Sequence, residues 1–189
     1  MDLQSILKEQ VLSQVAGQIA KKEGLDNSQA QSAVTSAAEA ILGGLGSNVK
    51  TKKGAESLDK ALGKHDGSIL NDVIGAATSA AVQKDGTKIL GHIFGDKGAD
   101  VTGQVAKQSG VSESTAASIL STVAPMILGG LGAAKKDGGL GSGGIADEVT
   151  KSAPSSGMGG IIMSMLDKNH NGSLVDEAIE VGTNFFKKK

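Results

Sequence analysis

Three features of the sequence predict an all-α fold: a duplicated block, apolar residues recurring at helical spacing, and the absence of strand-like alternation. The block Gly17–Gly46 returns without a gap as Gly103–Gly132. Gly17, Gln18, Ala20, Lys21, Gly24, Ser28, Ala30, Ser32 and Ala38 are identical in the second copy. So is the whole stretch Ile41-Leu42-Gly43-Gly44-Leu45-Gly46, repeated as Ile127 to Gly132, an offset of 86 residues. That period is too long for a solenoid built from units of about 20–50 residues. The expected architecture is duplicated helix-turn-helix units in a compact helical bundle, plus a tethered C-terminal helix. No segment alternates apolar and polar residues, and aromatic residues make up only 2% of the chain, which argues against strands.

Each copy reads as helix, turn, helix. In the first, Gly24 stops one helix as a C′ glycine does. Asp26 then offers an N-cap with Gln29 three residues on, close to a capping box. In the second copy Gly110 is the stop, and Ser112 or Ser114 the cap. The second helices are expected over 27–45 and 113–131. Ala30, Val34, Ala37, Ala38, Ile41, Leu42 and Leu45 recur at helical spacing in the first. Ala116, Leu120, Val123, Ala124, Ile127, Leu128 and Leu131 repeat the pattern.

Glycine inside a helix costs about 1 kcal/mol relative to alanine. A Gly-Gly pair present in both copies therefore needs a reason, either helix termination or close approach of two backbones. Neither apolar run reaches the roughly 20 residues that spanning a bilayer requires, so no transmembrane segment is expected.

The remaining elements are taken in order. An amphipathic helix covers 3–22, with Leu3, Ile6, Leu7, Val11, Leu12, Val15 and Ile19. A lysine-rich connection fills 47–54, and a short helix over 55–63 bears Leu58 and Leu62. His65 to Asp72 is a tight turn opening a helix through about Val82, which Lys84-Asp85-Gly86 breaks. Short helices come next over 87–95 and 97–109. From Ala133 to Gly160 glycine and serine dominate and Pro154 interrupts, so the stretch reads as a connection, with a short helix at 145–152. The expected organisation is a duplicated helical body over 1–132, a Gly/Ser-rich linker over 133–160, and a turn plus C-terminal helix over 161–189.

Composition narrows the function. The net charge is −1 and all 19 basic residues are lysine. Nucleic-acid reading leans on guanidinium groups and stacking aromatics, so nucleic acid is not an expected partner. With no cysteine there is no thiol chemistry or thiolate metal site. His65, His92 and His170 lack zinc-site spacing. No P-loop or GxSxG is present, the glycine-rich stretch at 138–141 follows no expected strand and reads as linker, and no nucleophile–base or acid pair emerges. The expectation is a non-enzyme with no catalytic or cofactor-binding residues and no small-molecule substrate. The N-terminus lacks a basic and an apolar signal region, so the cytoplasm is the default location, with signal-less export left open.

Lys88-Ile89-Leu90-Gly91-His92-Ile93-Phe94-Gly95, the preceding His65-Asp66-Gly67-Ser68-Ile69-Leu70 and the later Ala124-Pro125-Met126-Ile127-Leu128-Gly129 resemble the bacterial YidB-like family, a domain of unknown function. The resemblance covers roughly residues 1–135. It implies an all-helical fold, with homeodomain-like helix arrangements in some members, and no established activity. That analogy supplies the alternative of a DNA-binding regulator. The chain departs from it in having no arginine and no basic recognition helix.

One chemical constellation stands near the C-terminus. Asp167, Asn169 and Asn171 match positions 1, 3 and 5 of a calcium loop, with Gly172 at position 6 and the Ser173 carbonyl at position 7. The loop resembles those of EF-hand and dockerin proteins over its first seven positions. Position 12, where an EF-hand places its bidentate Glu, is Ala178, which leaves Asp176 and Glu177 as closing ligands for Ca2+ in a shortened loop. The alternative is an Asx turn at Asn171-Gly172 with Ser173 capping a helix over 174–186. His65 to Asp72 echoes the same pattern without the upstream ligands, since Ala61 and Gly63 stand there.

Taken together, the residues predict a structural or protein-interaction module. Its expected behaviour is self-association into a homo-oligomer or docking on a protein partner, with a calcium response through 167–177. The helix over 174–186, with Leu174, Ile179, Val181, Phe185 and Phe186, is one candidate for that docking.

Overall fold

The structure is a computed structural model that describes residues 12–167. The beginning of the expected helix 3–22 and the expected helix 174–186 lie outside the described residues. The described chain runs α1 (Leu12–Glu23), α2 (Asn27–Asn48), α3 (Lys52–Leu62), a 3-10 turn (Ser68–Asp72), α4 (Val73–Thr78), α5 (Ala80–Phe94), a second 3-10 turn (Gly95–Lys97), α6 (Gly98–Ser109), α7 (Glu113–Gly138), α8 (Ser142–Ser152) and α9 (Gly157–Leu166). No strand occurs among the described residues, and the fold is all-α.

The two copies have matching local geometry. α1 and α6 each end at a left-handed glycine, Gly24 and Gly110, with φ 66° in both. The next residue closes the helix: the Leu25 amide donates to the Ala20 carbonyl at 3.0 Å and the Val111 amide to the Ala106 carbonyl at 3.1 Å. This is the bond pattern of a Schellman end. The caps of α2 and α7 are Asp26 and Ser112, in extended backbone, accepting from the Gln29 and Thr115 amides. The capping box is not closed. The Gln29 side chain instead reaches the Gly110 carbonyl at 2.7 Å, joining the turn of one copy to the other.

The Gly-Gly pairs do not terminate helices. α2 runs on to Asn48 and α7 to Gly138, past the expected ends at 45 and 131. The glycines serve close approach. A Cβ on Gly43 would lie 2.6 Å from the Gly159 carbonyl of α9, and one on Gly44 2.5 Å from Phe94. In the other copy, a Cβ on Gly129 would meet Ile69 at 2.5 Å, and one on Gly132 would collide with the His65 carbonyl. Equivalent glycines thus receive different neighbours.

Gly86 has the same role, against expectation. The helix does not break at Lys84-Asp85-Gly86; α5 passes straight through it. The break falls at Ser79, in extended backbone, whose hydroxyl caps α5 by accepting from the Val82 amide. Pro125 lies inside α7 and has no N–H for the Ser121 carbonyl four residues earlier. Gly86 packs against that same carbonyl, so closely that any Cβ would clash with it. Gln83, one turn earlier, donates to Ser118 and Thr122 of α7, both at 3.2 Å.

The stretch 133–160, expected as a connection, carries the end of α7, all of α8 and the start of α9. Ile145, Val149, Met158, Ile162 and Leu166 are buried in the common core. The spacing of Ile145 with Val149, and of Met158 with Ile162 and Leu166, is i, i+4, which lays one apolar stripe along each helix.

α7 is the central helix. It is long and apolar enough to cross a bilayer, yet 83% of its most apolar window is buried inside the fold. Met126, Ile127 and Leu131 are fully covered.

Gly86→Ala and Gly132→Ala each place a methyl group against a backbone carbonyl, and should destabilise the fold by about 1–3 kcal/mol in urea denaturation despite the better helix propensity of alanine. Gly91→Ala, in open space in α5, should be neutral or stabilising by up to about 1 kcal/mol. A second expected outcome concerns pH. Asp26 is held below its ordinary value of 3.8 by the Ser28 hydroxyl, then by the Gln29 amide. A lowered folded value means stability present above the ordinary value and lost as pH falls through the folded one. Asp26→Asn keeps a competent cap and should flatten the acid limb of stability measured from about pH 5 to about pH 2.

Candidate binding surfaces

α3 packs on the body of the fold through Leu58 and Leu62, and a hollow of about 610 Å³ opens between it, the end of α2 and α5. Thr51 caps α3, its hydroxyl accepting from the Gly54 amide at 3.0 Å. At the far end Lys135 of α7 clamps it, with the ammonium 2.7 Å from the Asp59 carboxylate and donating to the Asp59 carbonyl at 3.1 Å. His65 anchors the turn that comes next, bonded to the Ala61 carbonyl and the Asp85 carboxylate, both at 2.9 Å. Asn48 donates to the Ile93 carbonyl at 3.1 Å and ties α2 to α5 at the closed end.

The floor is apolar: Leu45, Leu58, Ile89, Ile93 and Leu128. The rim is cationic. Lys53 and Lys60 lie on α3 and Lys64 in the turn just after it, with His92 on α5. Among the described residues, none that lines the hollow is acidic. From sequence alone α3 reads only as a short helix with two core leucines, and this surface is missed. The available signal is the spacing of Lys53, Ser57 and Lys60, which places them on one helical face.

A second surface is the outer face of α9. Ile161 is 46% exposed and Ser164 is exposed, while Met163 and Met165 are half-buried. No charged residue lies between Lys151 and Asp167.

Of the calcium-loop residues, Asp167 is described. It comes directly after α9, and its amide donates to the Met163 carbonyl at 3.0 Å. Asn169, Asn171, Ser173, Asp176 and Glu177 lie outside the described residues. Among those described, no group of three or more His, Asp or Glu could hold a metal. The echo at His65–Asp72 is a turn. Asp66 accepts from the Ser68 amide at 3.1 Å, Gly67 is left-handed with φ 92°, and the capping side chain is Asp72, which accepts from the Gly75 amide at 2.8 Å. The bonds to Ser68, and then Lys136, hold the Asp66 carboxyl below its ordinary value.

The profile of a family of bacterial proteins of unknown function, DUF937, matches residues 5–134. The chain belongs to this family. The match agrees with the resemblance to YidB-like proteins. It contains every residue that lines the α3 hollow and stops before α8 and α9. The hollow is therefore built from the DUF937 domain, and the α9 face from the segment C-terminal to that domain. No curated protein and no solved structure matches the chain.

Proposed function

We propose that this DUF937 protein is a non-enzymatic interaction module that works as a homo-oligomer and associates through the outer face of α9. The supporting observation is a surface helix without a single charge that leaves Ile161 46% exposed. A neutral face suits a second copy of itself, since an isologous contact sets the same patch against itself and a charge near the two-fold axis would face its like.

A second reading couples this surface to calcium. Asp167, first ligand of the candidate loop, stands immediately after α9, so ordering of the loop by Ca2+ through Asp167, Asn169, Asn171, Ser173 and either Asp176 or Glu177 bears on the end of the associating helix.

Light scattering of the full chain in calcium and in chelator tests both readings. The expected mass is that of an oligomer, and Ile161→Lys should return it to a monomer with unchanged helix content. A monomer at all concentrations up to about millimolar, where weak contacts appear, would sink the association. A mass that rises in calcium should lose that response in Asp167→Ala; a response that survives the substitution removes this loop as the cause.

A further inference from the structure

We propose that the hollow under α3 is a binding site for a single-chain amphiphile with an anionic head. Its apolar floor takes the chain, and Lys53, Lys60 and Lys64 take the head group. This surface is separate from the α9 face and does not depend on association.

Three observations carry the assignment. The volume of about 610 Å³ lies within the roughly 300–1,000 Å³ of small-ligand sites, which are apolar concavities with a few convergent polar groups. The lining is segregated, with apolar side chains below and ammonium groups above, and no carboxylate lines it among the described residues. Lys135 and Asp59 already satisfy each other at 2.7 Å, so the Asp59 carboxylate does not neutralise the rim.

The narrowness of the floor favours an alkyl chain over a protein helix. Leu45, Leu58, Ile89, Ile93 and Leu128 are each only 2–7% exposed, so they offer a narrow apolar strip and no broad face. A helix with side chains is about 10 Å wide, and a stable protein interface covers about 800 Å² on each partner. A single chain of methylenes reaches where a helix cannot, and gains about 0.8 kcal/mol for each one buried. Lysine suits a head group presented in several orientations, because its ammonium is a flexible point charge without a fixed fork.

The test uses the full chain and three probes below their micelle concentrations: laurate, dodecyl maltoside and dodecyltrimethylammonium. Calorimetry should show one laurate bound per chain, and weaker or no binding of the neutral and cationic heads. The triple variant Lys53→Glu, Lys60→Glu and Lys64→Glu should weaken laurate by about tenfold or more, a change of about 1.4 kcal/mol. The matched variant Lys84→Glu, Lys88→Glu and Lys107→Glu, at positions outside the lining, should not. Ser57→Trp, on the exposed wall, gives a reporter in a chain without tryptophan, and its emission should shift to the blue with laurate. Equal binding of all three heads, equal loss in both triple variants, or no laurate binding up to about millimolar overturns the proposal. Binding to anionic vesicles or to an acidic helical peptide without binding of monomeric laurate also overturns it, and reassigns the surface to membrane or protein docking.

Discussion

Backbone touching backbone is the constraint on which this fold depends. The chain has three Phe and no Trp or Tyr, so it cannot fill wide gaps between helices with large rings. It closes the gaps by drawing helices together until Cα atoms meet carbonyls. Gly43 against Gly159, Gly86 against Ser121 and Gly132 against His65 are the points of contact. Each glycine costs about 1 kcal/mol of helix propensity. That loss is offset by dense dispersion contacts along the whole seam and by Cα–H contacts to carbonyl oxygens. The Gly86 contact accounts for a further oddity, since the carbonyl it covers is the one Pro125 leaves without an intrahelical donor.

This constraint explains what could be read from the sequence and what could not. The turn between the two helices of each copy was legible, although the far ends of α2 and α7 were not. Gly24 and Gly110, Asp26 and Ser112 are local devices whose geometry depends on neighbours in sequence, and their positive φ and cap bonds stand where those residue types require them. The glycines of helix interiors were not legible, because one residue type signals two opposite things. Gly139 and Gly157 end and separate helices with positive φ. Gly86, Gly143 and Gly159 lie inside helices. Nothing in the sequence around Gly86 says that the Ser121 carbonyl will arrive beside it, so it reads as a breaker. The same ambiguity makes 133–160 look like a linker, although Ile145, Val149 and Met158 already stand at core spacing.

The candidate surfaces divide in the same way. Of the expected calcium ligands only Asp167 falls among the described residues, so that constellation rests on its sequence pattern and on its place directly after α9. The cationic hollow escapes a sequence reading because its parts come from α2, α3, α5 and α7, and only tertiary packing brings Leu45 near Leu128 and Lys53. The α9 face is half legible. Its uncharged sequence is plain, but only the structure shows that Met158 is buried while Met163 and Met165 stay at the edge.

The two surfaces also differ in how the fold supports them. The hollow is braced on every side: Thr51 caps α3, Lys135 clamps Asp59, His65 holds Ala61 to Asp85, and Asn48 ties α2 to α5. A site meant to recognise a ligand gains from such bracing, because less ordering remains to be done on binding. α9 is held instead by the glycine crossing at Gly43 and by the Met158 amide donating to Glu39 at 3.2 Å. Its outer face meets no such demand, since a second helix can adjust to it by sliding. The rigid hollow lies in the part shared with the DUF937 family and the adaptable face lies beyond it. On the readings proposed above, that division separates a ligand site within the family domain from an assembly element beyond it.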